Sequence, residues 1–258
     1  MRAVFTASKA GTQTMLTSTQ LQRYHEDGFI LVPSFYTAAD DERLEAALAP
    51  ARRSGWGGSG RYPCSHPVER GFADVCHTLP LIKRYLHPTS VAIARQVLAA
   101  DVLLRCGILV DLEPNDATPW HRDVQGLPFT LFMHYLQGAS AAHGCLRVIP
   151  GSHLMEEAYI DAEFDRVAVE QNLSHCRRSE LVVHPREVPL EVRHEDLIVR
   201  DSRLWHGTYV NKSDRYRTLL TWAFIRRQDA SEWRFPFPEQ LQFMPEFTTE
   251  ERRLMGWA

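Results

Sequence analysis

The chain has 258 residues, of which 44% are hydrophobic and 24% charged, so it carries enough apolar material for a sizeable core. Its net charge is −3, with Lys and Arg scattered in ones and twos. That excludes the clustered basic face of a nucleic-acid binder, and no run of about 18 apolar residues offers a membrane span.

From Met1 to Met15 there is Arg2, Lys9 and no acid, and the apolar centre of a secretory signal is lacking; residues 1–16 are expected to be a flexible N-terminus. Thr17-Ser18-Thr19 followed by Leu21, Tyr24 and Phe29 predicts a capped helix ending near Gly28. Leu44, Ala47 and Leu48 give helical spacing to a second segment, Asp40 to Ala51. The glycine-rich stretch Ser54 to Gly60 lacks the preceding strand and following helix of a phosphate cradle. With Arg61 and Tyr62 it reads either as a lid or as a surface linker. Leu79 to Leu98 reads as helix again, broken at Pro88.

After Ala100 the texture changes. Val102–Leu112, Phe129–Leu136, Cys145–Ile149, Leu197–Arg200 and Thr218–Ile225 are short runs rich in β-branched and aromatic residues, separated by turn signals such as Pro114-Asn115-Asp116 and Pro150-Gly151. Short strands without intervening long helices predict an antiparallel sandwich or barrel. Thr248–Met255 predicts one more surface helix. The expected organisation is a single domain over 17–258: a helical layer (17–100), a β-core (101–227) and a C-terminal extension (228–258).

Five cysteines at irregular spacings, with no C-x-x-C pair, indicate neither a zinc ribbon nor a disulfide framework. Reduced thiols in the cytoplasm are the expectation.

The segment Trp120-His121-Arg122-Asp123 contains a His-x-Asp pair. In an extended backbone, residues i and i+2 project to one face, so both side chains can chelate one cation. Alone, such a tripeptide is a weak signal. Among twelve histidines, His206 has the best context for a third ligand, because it follows the apolar run Leu197–Val199 and precedes Gly207, where the backbone can pass close to a site. Two histidines and one carboxylate make the facial triad of non-haem iron(II) oxygenases. Catalytic zinc accepts the same set, although no H-E-x-x-H signature occurs. Eleven residues after His206 stands Arg217, which shares a strand face with Leu219, Thr221 and Ala223. These modest side chains would leave space for a small dianion whose far carboxylate pairs with the guanidinium; the alternative is an ordinary surface arginine in a stretch that also has Arg215, Arg226 and Arg227.

Taken together, Pro119-Trp120-His121-x-Asp123, then Gly144-Cys145-Leu146 through Pro150-Gly151-Ser152-His153, then Ser202 through Gly207, and Arg217, resemble the phytanoyl-CoA dioxygenase family. The resemblance runs from about Leu16 to Phe224. It implies a mainly β fold with N-terminal helices (α+β), built on a double-stranded β-helix, or jelly-roll, core of the cupin kind. It further implies iron(II) on His121, Asp123 and His206, with 2-oxoglutarate and O2 as co-substrates. Arg217 would bind the far carboxylate of 2-oxoglutarate, and Thr208 stands where members often place a hydroxyl on the same group. Cys145 and His153 are expected to be structural. Related halogenases carry Gly or Ala in place of the carboxylate, so Asp123 disfavours halogenation. Met133 falls where many members have a tryptophan beside the co-substrate.

The implied activity is oxidation, foremost hydroxylation, of a small molecule of secondary metabolism, with release of succinate and CO2; the same oxidising chemistry also gives desaturation, epoxidation or cyclisation. Two other classes remain open on this fold. One is a non-redox metal-dependent hydrolase or isomerase, and the other a non-catalytic binding protein.

Overall fold

The computed structural model describes residues 15–37, 39–40, 42–44, 46, 48, 60–61, 79–123, 127–230 and 245–257. Helix α1 (Ser18–Asp27) begins with a capping box, in which the Gln20 amide donates to Thr17 Oγ1 at 3.2 Å and the Thr17 amide to Gln20 Oε1 at 2.9 Å. It ends at Gly28, whose φ of 83° suits glycine. A Cβ at Gly28 would lie 2.5 Å from His153 Nδ1, so glycine also admits that ring. Leu16, expected within the flexible N-terminus, is instead buried, with its amide on Gln96 Oε1 at 2.8 Å. The described positions between 39 and 48 are helical. The segment around Pro88 forms two helices, α2 (Leu79–Tyr85) and α3 (Pro88–Leu98), with proline at the start of the second, where its missing N–H costs nothing.

Nine strands make two antiparallel sheets among the described residues. The larger has the order β1-β7-β4-β9-β3-β2, from β1 (Phe29–Val32), β2 (Gly60–Arg61), β3 (Val102–Leu112), β4 (Phe129–Tyr135), β7 (Leu197–Asp201) and β9 (Arg217–Arg226). The smaller has the order β6-β5-β8, from β5 (Leu146–Val148), β6 (Val188–Leu190) and β8 (His206–Thr208). This is the jelly-roll arrangement, with an apolar filling between the sheets.

Strands β4 and β9 sit centrally and are buried on both faces, which accounts for their nearly continuous apolar sequence. Their outward residues Phe132, Leu220, Trp222 and Phe224 pack under α2 and α3; Trp222 stacks on Phe132 with ring centroids 5.6 Å apart. Their inward residues Leu131, Met133, Tyr135, Leu219 and Ala223 meet Leu146, Val148 and Leu190 of the smaller sheet.

The first hundred residues are mostly helical where described, and they also supply β1 and β2, the two edge strands of the larger sheet. A four-residue strand directly behind a helix cap is too short for its alternation to stand out. The expectation of no long helix among the strands is corrected: α4 (Glu157–Glu170) lies between β5 and β6. The tail helix, α5 (Thr249–Leu254), opens on a second capping box, Thr248 with Glu251. Asp101 ties this end together, accepting from Arg227 Nε at 2.7 Å and Arg253 Nη1 at 2.8 Å.

Cys106, Cys145 and Cys176 are free thiols. Among the described residues no helix is long and apolar enough to cross a membrane. The lid-or-linker stretch lies outside the described residues, apart from Gly60 and Arg61, which pair with Asp111 and Val110.

Candidate metal centre

Residues 118–123 run antiparallel to β8 and extend the smaller sheet. His121 N–H donates to His206 O at 2.8 Å, His206 N–H returns to His121 O at 3.0 Å, and Thr208 N–H reaches Thr118 O at 2.9 Å. Gly207 is needed between them, because a Cβ there would lie 2.9 Å from Thr118 O. The pairing sets His121 and His206 side by side, with ring centroids 4.1 Å apart. Asp123, two residues on, completes the group; one ligand atom from each of the three lies within 4.8 Å of the others.

Both imidazoles are oriented in the same manner. Nδ1 of His121 lies 2.8 Å from Pro119 O, and Nδ1 of His206 lies 2.8 Å from Leu204 O. Each Nδ1–H therefore donates to a carbonyl two residues upstream, leaving the Nε2 lone pair toward Asp123, at 3.7 and 3.6 Å from Oδ1. Burial, then Arg200, hold His206 well below the ordinary imidazole range. Burial alone would push the Asp123 carboxyl up, but the Arg200 guanidinium beside it holds it well below the usual carboxylate range. A neutral imidazole and an ionised carboxylate are the forms that bind a metal. Two nitrogens and one carboxylate on adjacent strands thus fit a divalent iron with positions left open.

Behind the candidate ligands stand two tryptophans. Trp120 and Trp205 each precede a candidate ligand histidine and point the opposite way, into a cluster with Ile149, Ile160, Phe164, Val167 and Val182. Trp120 Nε1 donates to Val182 O at 3.0 Å, and the fully buried Arg147 lies 4.4 Å from its ring while donating to Val182 O and Glu180 O.

Arg217 enters the interior from the start of β9 and is buried. It donates to Gly144 O and lies 5.0 Å from the Tyr135 ring. Its Nε has no hydrogen-bond partner among the described residues, nor do Tyr135 Oη and Thr221 Oγ1, all buried. Buried polar atoms rarely stay unpaired, so an anion rich in acceptors fits this interior. Thr208 is buried on the face of β8 that carries His206, and its Oγ1 accepts from Thr118 N at 2.7 Å. His153 meets His25 O through Nε2 at 3.1 Å, which joins it to α1. The sequence reading did not single out Arg200, whose Nη2 contacts Asp123 Oδ2 at 2.5 Å and His206 Nε2 at 3.1 Å. A charged residue inside the buried strand Leu197–Asp201 was the available signal.

The chain belongs to the phytanoyl-CoA dioxygenase (PhyH) family, whose pattern matches residues 24–219. It is thereby an enzyme of the non-haem iron, 2-oxoglutarate-dependent class. Among solved structures it is similar to HygX from Streptomyces hygroscopicus with nickel and 2-oxoglutarate bound, at 17% identity and a TM-score of 0.65, over 82% of this chain and 88% of that one. SnoK, a non-heme alpha ketoglutarate dependent carbocyclase from nogalamycin biosynthesis, matches at 19% identity and a TM-score of 0.60, over 82% of this chain and 84% of that one. EvdMO1 matches at 23% identity and a TM-score of 0.58 over 81% of this chain, which spans about half of that protein (49%). No curated protein is significantly similar to the chain.

Proposed function

We propose that the protein oxidises an unactivated C–H bond of a small molecule, foremost by hydroxylation, while 2-oxoglutarate is converted to succinate and CO2. His121, Asp123 and His206 would hold iron(II). Bound there, the iron supplies O2 activation driven by decarboxylation of the 2-oxo acid. The chain's own residues orient and exclude. Arg217 pairs with the far carboxylate of 2-oxoglutarate, and Thr208 contributes its remaining hydroxyl proton to the same group.

One observation carries this reading: the triad opens on the same sheet interior as a buried arginine whose polar neighbours lack partners. A Lewis-acid hydrolase does not require that second, cationic site, whereas a dicarboxylate co-substrate does. The carboxylate at position 123 favours oxygen transfer over halogenation. A secondary metabolite is the substrate class we favour, in keeping with the nogalamycin-pathway enzymes of similar fold. SnoK's carbocyclisation belongs to SnoK; for this chain, ring closure, desaturation and epoxidation are alternatives to be separated by product analysis.

The test is succinate formation by anaerobically purified protein given iron(II), ascorbate, 2-oxoglutarate and O2, beside His206→Ala and Arg217→Ala. Succinate from the wild type and not from the variants supports the reading. Turnover with zinc or manganese that is independent of 2-oxoglutarate would replace it with Lewis-acid chemistry.

A further inference from the structure

Arg200 is 2% exposed and bonds inside the metal centre rather than beside it. On β7, Leu197 and Val199 belong to the helix-side core and Ile198 to the sheet interior, so Arg200 projects inward with Ile198. Its guanidinium is held on every side. Nη2 donates to Asp123 Oδ2 at 2.5 Å and to His206 Nε2 at 3.1 Å, Nη1 to Asp201 O at 3.3 Å, and Nε to Met133 Sδ at 3.2 Å.

This arrangement is incompatible with an occupied triad. His206 Nδ1 is engaged with Leu204 O, so the lone pair that accepts from Arg200 is the one a metal needs. One lone pair cannot serve both. Metal entry must displace the guanidinium from His206, and the displaced cation then shares the part-buried Asp123 with a dication. Asp123 with Arg200 and a divalent ion sums to two positive charges, a poor balance in a partly desolvated site. A 2-oxo acid corrects it. Its carboxylate next to the keto group arrives at the metal, where Arg200 stands, and its far carboxylate meets Arg217. Two buried guanidinium groups then face two carboxylates.

We propose that Arg200 couples metal binding to co-substrate binding: it competes with the metal for the His206 lone pair, and pairs with the metal-side carboxylate of the 2-oxo acid once both are present. The inference rests on the function proposed above and gives it an order, in which metal alone binds weakly and metal with 2-oxoglutarate binds tightly. Met133 belongs to the device, because its sulfur is a soft, mobile partner that lets the guanidinium go.

The test is calorimetric titration of the full chain with manganese(II), with and without 2-oxoglutarate, for the wild type and Arg200→Met. The expected result is that Arg200→Met binds manganese alone about tenfold more tightly, while the gain from 2-oxoglutarate shrinks by a similar factor, within the usual range of coupling between sites. Arg200→Gln gives the same reading if the methionine variant does not fold, as judged by circular dichroism. Weaker or unchanged binding of manganese alone by the folded variant overturns the proposal while leaving the oxygenase reading intact. A wild type that binds no metal under either condition overturns both.

Discussion

Phe164 packs against Trp205 with ring centroids 5.2 Å apart, and so links a helix outside the jelly roll to the residue before a metal-ligand candidate. The ring of Trp120 closes on the same phenylalanine at 5.6 Å. Helix α4 thereby braces both histidine-bearing strands from behind. Phe164→Ala leaves a cavity at this junction and is expected to cost about 3–5 kcal/mol of stability by urea denaturation. Manganese affinity should fall in the folded variant; unchanged affinity would mean that the strands hold the ligands without the brace.

Gly207→Ala tests the strand pairing itself. The added methyl meets a backbone oxygen, Thr118 O, which cannot rotate away. Separation of the 118–123 segment from β8 is expected, with a loss of roughly 1–3 kcal/mol and weaker metal binding. A variant with wild-type melting temperature and metal affinity would contradict the close approach.

Arg217→Met separates the co-substrate end of the site from the metal end. With manganese in place, the Kd for 2-oxoglutarate should rise by roughly 30-fold or more, because one partner of a buried charge pair is lost. Affinity for manganese alone should be unchanged. Equal weakening of both would make Arg217 a framework residue.

Acid should destabilise the fold through His134. Its Nδ1 accepts from Arg84 at 2.9 Å, its Nε2–H donates to His194 O at 2.5 Å, and the Tyr36 ring lies 4.3 Å away. Burial first, and Arg84 second, push its pKa down to about 3. The unfolded chain takes up a proton near pH 6.5 and the folded chain does not until about 3, so stability is full above 6.5 and is lost as pH falls through that window. On the order of 2 kcal/mol should disappear between pH 7 and pH 5. His134→Gln should flatten the urea midpoint over that range; an undiminished slope would assign the acid sensitivity to other groups.

The sequence made the chemistry legible where short-range pattern and chemical type coincide. His121 and Asp123 at i and i+2, His206 behind an apolar strand, and the five runs of β-branched residues all appear in the structure within a residue or two of expectation. The helix α4 was missed, although Ile160, Phe164, Val167 and Ala168 have the spacing of one helical face. Glu156 at its start makes no side-chain cap, so this helix lacks the polar start signal that marks α1 and α5. Arg200 was passed over for a different reason. What it touches depends on Asp123, 77 residues away in sequence, and no local pattern encodes such a contact.

The reciprocal hydrogen bonds between His121 and His206 have a consequence for which ion the protein carries. Because the peptide ladder spaces the two rings, the two ligand nitrogens are set before any ion arrives, and once Arg200 has moved aside the site differs little from one first-row ion to the next. Nickel and copper, being the stronger binders, would outcompete iron in such a pocket at equal concentration. Identity of the resident ion is then a matter of cellular supply and of the order of loading rather than of fit, and protein isolated from different growth media should carry different metals on one unaltered scaffold.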